Sequence, residues 1–344
     1  MAFRSYTATD PLFQRLGRHD PKEKHVALWW SGSGLRFHAA CAELIAEITC
    51  TPGEHVPWMG VLLDGAIIAR FPLMSGTHRY PLLEGMDPAF PHEISLMRDT
   101  QPTFDEAQPP RLEALICDGK LTAPQERSCL IEFLGDSLTV GEGTVGPHSA
   151  MEWRMSYLSH MHAFSSLVSE SMHADKRLIA LSGWGVWRGW DGDATHRIGL
   201  IYDALCAPTP GGEMTCPNLP GAAFVVINLG TNDSNAIKSV EDLQAALQEI
   251  QDCAISLMEK VRSRNPEADI IWAYGLCGHD LEAPLHSAVE KHRAVDPHVH
   301  YLSLSDCNGD VGSRSHPSFD AHRIAAREIE DCLTALASKE VSMS

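Results

Sequence analysis

The sequence predicts an α/β protein in two parts: a β-sandwich or jelly roll over residues 1–124, then a domain over residues 125–344 built on a five-stranded parallel sheet. Three observations predict this. The chain has 344 residues, about two domains at ~150 residues each. Its first third holds short apolar runs separated by Gly, Pro and Asp, with no long helical period. From about residue 129 apolar runs alternate with helical patterns, the mark of a parallel sheet covered on both faces.

In the first part the strand candidates are 25–30, 42–48, 59–64, 66–71, 93–98 and 111–117. Asp64-Gly65 sits between two of them and signals a hairpin, because a tight primed turn needs positive φ. Many short strands with turn residues between them suit a sandwich. Segment 101–110 reads as a loop. In the second part the strands are 130–134, 177–181, 224–229, 270–274 and 299–304. Residues 149–173 carry apolar side chains at roughly helical spacing. A helix is expected from Ser239, with Asp242 three residues on in a capping-box-like start, to Asn265-Pro266. A final helix is expected over 317–337. The Gly- and Pro-rich run 182–223 reads as a long functional loop region.

Composition narrows the function. Hydrophobic residues make up 44% and charged residues 21%, which is globular and excludes disorder. A formal net charge of −18 repels phosphate backbones and anionic lipid, so nucleic acid and membrane are poor partners. The ten cysteines form no C-x-x-C pair or metal-ligand spacing and read as reduced thiols. The first twenty residues lack an apolar signal-peptide core and no run is long enough to span a bilayer. These features predict a cytoplasmic location. His160/His162 and His298/His300 are near one another without a completing ligand, so no metal site is expected and solvated imidazoles are the better reading.

In a parallel sheet, reactive groups belong just past the carboxyl ends of strands. Three strand ends carry candidates. Ser137 follows the strand 130–134 in Gly135-Asp136-Ser137-Leu138; there a serine can present its Oγ or simply cap a turn. Asn232 follows 224–229 in Gly230-Thr231-Asn232-Asp233, where its amide can donate to a developing oxyanion or serve a turn. His316 precedes Pro317 at the start of the last helix, and could reach a serine above the sheet.

Together, in this order, these blocks resemble the SGNH, or GDSL-type, hydrolases: GDS at 135–137, GTND at 230–233, and a glycine block best matched by Gly183 in LSGWGVWRG, with Gly185 as second choice. A β domain ahead of GDS, with WWSGSGLRF (29–37), WAYGLCG (272–278) and HPSFDAH (316–322), looks like carbohydrate esterase family 2. The resemblance implies a jelly roll followed by a flavodoxin-like three-layer α/β/α domain. It also implies a serine O-acetylesterase acting on acetylated hemicellulose oligosaccharides, xylan or glucomannan, without cofactor or metal. Ser137 would be the nucleophile and His316 the base, with the Ser137 and Gly183 N–H groups and the Asn232 amide as oxyanion donors. The family's aspartate three residues before the histidine is replaced here by Ser313. The backbone carbonyl of Ser315 is expected to orient the imidazole instead, with Asp310 and Asp306 as side-chain alternatives. Trp184, Trp187 and Trp190 lie in the glycine-block loop, and at least one is expected to line the sugar site; Trp184, Trp187 and Arg188 are the named candidates. A lipid esterase or thioesterase on the same scaffold, or a carbohydrate-binding protein without activity, are the alternatives.

Overall fold

A computed structural model describes residues 2–209 and 211–343, with side chains to 338. The chain forms two compact units: residues up to Arg127 with Arg154–Ser156 and Ala204–Leu219, and Ser128–Trp153 with Tyr157–Asp203 and everything from Pro220 onward.

The first unit is a pair of antiparallel sheets. Its strands are β1 (Arg4–Thr7), β2 (Gln14–Leu16), β3 (Val26–Ala27), β4 (Gly34–Ala40), β5 (Leu44–Cys50), β6 (Trp58–Leu63), β7 (Ala66–Pro72), β8 (Gly76–Leu83), β9 (His92–Arg98), β10 (Arg111–Cys117) and β11 (Lys120–Thr122). One sheet runs β1-β10-β5-β8 with β3 on β10; the other runs β11-β4-β9-β6-β7 with β2 on β4. Leu44, Ala46, Ile48 and Cys50 alternate inward along β5, the period-two pattern of a half-buried strand. They join Leu35, Phe37, Leu96 and Leu115 in one core. The β6–β7 hairpin turns at Asp64 and Gly65, both at positive φ, as the sequence predicts.

The short strands β1, β2 and β11 escape the sequence pattern, and so do two longer ones. β4 contains Arg36, buried with its guanidinium on Glu93 and on the Gln125 carbonyl, 2.9 Å each, so a charge interrupts the apolar run. β8 carries Pro81 and lies at a sheet edge, where a missing N–H is tolerated.

The second unit is a parallel sheet in the order β13-β12-β14-β15-β16, formed by β12 (Leu130–Gly135), β13 (Asp175–Ala180), β14 (Phe224–Asn228), β15 (Asp269–Tyr274) and β16 (Val299–Ser303). All five strands were legible as apolar runs. The helices are α1 (Ser137–Val140), α2 (Phe164–Ser171), α3 (Ile198–Ile201), α4 (Thr231–Ala236), α5 (Leu243–Arg264), α6 (Glu282–Arg293) and α7 (Phe319–Met343). Phe133, Phe164, Val226, Ile271, Ala325 and Ile329 share a core between sheet and helices.

Three helix expectations are corrected. The cap of α5 is Asp242, accepting from Ala245 N at 3.0 Å, and not Ser239. The expected 149–173 helix is only α2, preceded by two 3₁₀ turns, because Ser159 and Ala163 are extended. α6 was not foreseen: Pro284 and His286 dilute its short stripe of Leu285, Ala288 and Val289. No helix among the described residues is long and apolar enough to cross a membrane.

Candidate active site

The register of the sheet brings three loops to one edge. Gly135, the last residue of β12, pairs with Ala180 of β13 on one side and Asn228 of β14 on the other. The chain therefore leaves three adjacent strands at the same level, and Ser137, Gly183 and Asn232 follow within two to four residues. Gly135 is obligatory here: a Cβ would stand 1.9 Å from Thr139 Oγ1 of α1, so only glycine lets the helix turn back this tightly.

Two buried aspartates tie these loops together. Asp136 caps α1, its Oδ1 accepting from Leu138 N at 3.0 Å, while Oδ2 accepts from Asn232 Nδ2 at 3.1 Å. Asp233 accepts the N–H groups of Val186, Trp187 and Arg188 at 3.0, 2.7 and 2.9 Å. Both are fully buried. Burial pushes the Asp136 carboxyl up to about 7; the charges of Asp233 and Glu142 add to this, and the Leu138 N–H opposes it. Burial likewise raises Asp233, against the pull of its three N–H donors.

The N–H inventory separates the oxyanion candidates. The N–H groups of Ser137 and Gly183 meet no acceptor among the described residues, whereas Gly185 N donates to His196 O at 3.1 Å. Gly183 is thus the free donor of the two glycines. It sits at φ +84°, and a Cβ there would press 2.8 Å from the Trp190 ring. Asn232 Nδ2 also donates to Trp184 O at 2.8 Å, so both amide hydrogens already have protein acceptors.

His316 packs against the turn that follows Ser137. Glu142 N donates to Ser137 O at 2.9 Å, and Ser313 N to Gly143 O at 3.1 Å; a Cβ on Gly143 would lie 2.8 Å from His316 Cβ. The imidazole Nδ1 faces the Arg314 carbonyl at 3.1 Å. A carbonyl only accepts, so the proton sits on Nδ1 and Nε2 is the free base. No hydrogen bond joins Ser137 Oγ to His316 in this resting state; such bonds commonly tighten only with substrate in place.

The carbonyl on His316 corrects the expectation of Ser315. Arg314 and Ser315 both adopt positive φ, 56° and 57°, a left-handed turn that brings the Arg314 carbonyl back toward the ring. The side-chain alternatives lie elsewhere. Asp310 is exposed, and Asp306 accepts from Gly278 N and Asn308 N, both at 2.6 Å. A residue that sequence reasoning missed takes a closer place: buried Glu142 has Oε1 3.9 Å from His316 Nε2 and 3.4 Å from Arg314 Nε.

Trp184 and Trp187 are only 7% and 4% exposed. Trp184 packs on His196, and Trp187 donates to Glu249 at 2.7 Å beneath the Arg188 guanidinium. The tryptophan of this loop that faces solvent is Trp190, 59% exposed. Asp233 explains the difference: drawing in the N–H groups of 186–188 turns Trp187 inward. Of the paired histidines, His298 is solvent-exposed as expected, while His160 is buried; His298 and His300 both bond Asp269.

No family model matches the chain. Over 311 residues it is 25% identical to the cellulase/esterase CelE of Acetivibrio thermocellus, covering 87% of this chain and 36% of that protein. The chain spans about a third of the length of the curated relatives it matches. Among solved structures it is similar to the acetyl xylan esterase Est2A from the rumen bacterium Butyrivibrio proteoclasticus, at a TM-score of 0.94 and 25% identity over 98% of this chain and 99% of that one. It also shares the fold of a family two carbohydrate esterase from Clostridium thermocellum, solved in complex with cellohexaose: TM-score 0.82, 22% identity, 95% of this chain and 99% of that one. The fold is shared with these esterases, family two carbohydrate esterases among them.

Proposed function

We propose that the chain is a serine carbohydrate O-acetylesterase acting on acetylated oligosaccharides of the xylan or glucomannan class. What supports this reading is that Ser137 and Gly183, with two unpaired N–H donors, follow adjacent strands at one sheet edge, and that the turn carrying His316, its imidazole proton held on Nδ1, packs on Gly143 a few residues after Ser137. Ser137 Oγ attacks the acetyl carbonyl as His316 Nε2 takes its proton. The oxyanion draws on the N–H groups of Ser137 and Gly183, and on Asn232 by displacing the longer of its two bonds, that to Asp136. The imidazolium then protonates the departing sugar oxygen. Water, activated by the same imidazole, releases acetate and restores the serine. Only proton transfers and acyl exchange are involved.

Trp190 supports a sugar substrate. An exposed indole beside the oxyanion glycine offers the flat apolar face on which a pyranose ring stacks. Ten thiols without a disulfide fit a reducing compartment such as the cytoplasm. The test is acetate release from acetylated xylan and acetylated glucomannan, with Ser137→Ala as control. Release that vanishes in the variant is expected. Equal rates for variant and wild type, or a preference for octanoyl over acetyl esters, overturn the reading.

A further inference from the structure

The position three residues before His316 holds a buried serine and no carboxylate. Ser313 is buried, with Oγ lacking any hydrogen-bond partner. An ideal Cβ on Gly146 would stand 2.3 Å from that Oγ, so the 143–146 turn packs directly on the Ser313 side chain. The base must be held and its positive charge balanced from somewhere else.

Glu142 is built for this. Its side chain is 4% exposed, and Oε1 has no hydrogen-bond partner among the described residues. A buried carboxylate oxygen without a bond is costly and asks for a reason. That oxygen stands between the Arg314 guanidinium, at 3.4 Å, and the free nitrogen of His316, at 3.9 Å. Glu142 leaves the chain one turn after the nucleophile, and Arg314 is the residue whose carbonyl holds Nδ1.

We propose that Glu142 is the positioning residue of this site, taking over from the turn after Ser137 what an aspartate before the histidine does elsewhere. It tethers the Arg314 side chain, and with it the left-handed turn whose carbonyl fixes the imidazole. It also places a negative charge beside Nε2, favouring the imidazolium that forms when Ser137 gives up its proton. At 3.9 Å it is too far to capture Nε2–H in a hydrogen bond, so it balances the charge without occupying the base. This rests on the esterase reading above.

Other charges face the pair. Arg314 pairs with Glu142 on the histidine side, Asp136 and Glu142 repel as like charges, and His322 of α7 feels the charges of His316 and His162. Glu142 is the carboxylate paired with the imidazole, so its removal sets the sign.

The experiment compares wild type, Glu142→Gln, Glu142→Asp and Arg314→Ala on acetyl esters, with thermal melts to confirm folding. In Glu142→Gln, kcat should fall about 10- to 100-fold with KM little changed, as expected for losing an opposite charge near 4 Å in a partly screened site. The acid limb of the kcat/KM profile should move to lower pH. Glu142→Asp should recover part of both, and Arg314→Ala, which keeps its carbonyl, should lose less than Glu142→Gln. A folded Glu142→Gln with unchanged kcat and an unmoved acid limb overturns the proposal; so does a loss of kcat that Glu142→Asp does not restore at all. A wild type no faster than Ser137→Ala overturns the esterase reading instead, so the two failures are distinct.

Discussion

Buried carboxylates are handled in two ways in this molecule. In the sandwich, Arg98 grips both oxygens of Glu106, with neither side chain exposed, and Arg70 holds buried Asp99 at 2.5 Å. At the sheet edge of the second unit, Asp136 and Asp233 are equally buried, yet neither has an ion pair among the described residues. Their partners are backbone N–H groups and one amide. A guanidinium neutralises a buried charge and locks two side chains together. Backbone dipoles solvate the charge without neutralising it, and in doing so they fix the course of a loop. The first arrangement suits scaffold; the second suits a site whose N–H groups must point to one place.

The sharpest break of this contrast is Asp233→Ala. It frees three N–H groups in the loop that carries Gly183 and opens a hole beside Gly185, whose Cα side lies against the carboxylate. Displacing an oxyanion donor by ~1 Å costs about 10²-fold, so kcat/KM should drop at least that far. Steady-state kinetics on acetyl esters checks this. If the variant stays active while stability falls, Asp233 holds fold and not geometry.

The matching change in the sandwich is Arg98→Met. It strands the Glu106 carboxylate, leaving it a Thr103 backbone hydrogen bond in place of the guanidinium, and breaking one side of a buried pair costs about 3–5 kcal/mol. Denaturant melts should show that loss, while folded protein keeps its kcat. A variant destabilised and also catalytically impaired erases the distinction between the two kinds of buried acid.

This contrast marks what could be read in the sequence. Ser137, Asn232 and His316 each follow an apolar run or precede a helix, so short local blocks announced them. All five parallel strands were legible for the same reason. Glu142 and Arg314 were not, because they meet only after the whole second unit has folded, and Glu142 in the sequence is one more acid among many. The left-handed turn at Arg314 and Ser315 has no glycine or asparagine to announce it. The exposure of Trp190 in place of Trp187 depends on where Asp233 draws the loop, a decision made far along the chain. Arg36 hid β4 by the same logic, since its partner Glu93 lies on another strand.

A finer test of the two arrangements is pH. Ordinary aspartate titrates near 4, but burial holds Asp136 up at about 7, and Asp233 is shifted the same way. Between those values the folded state binds protons that the unfolded chain has already released. The contribution of these two groups to stability therefore falls as pH rises from about 4 to about 7, as linkage requires when the folded state is the more protonated. Asp136→Asn removes one of the two groups. Its amide nitrogen faces the Asn232 amide, donor to donor, so the variant should be less stable throughout, but its melting temperature should depend less steeply on pH in that window. Melts at half-unit intervals read the slope directly. A slope identical to wild type would mean that Asp136 stays charged when buried, and that one backbone N–H and one amide can do for a carboxylate what Arg98 does for Glu106.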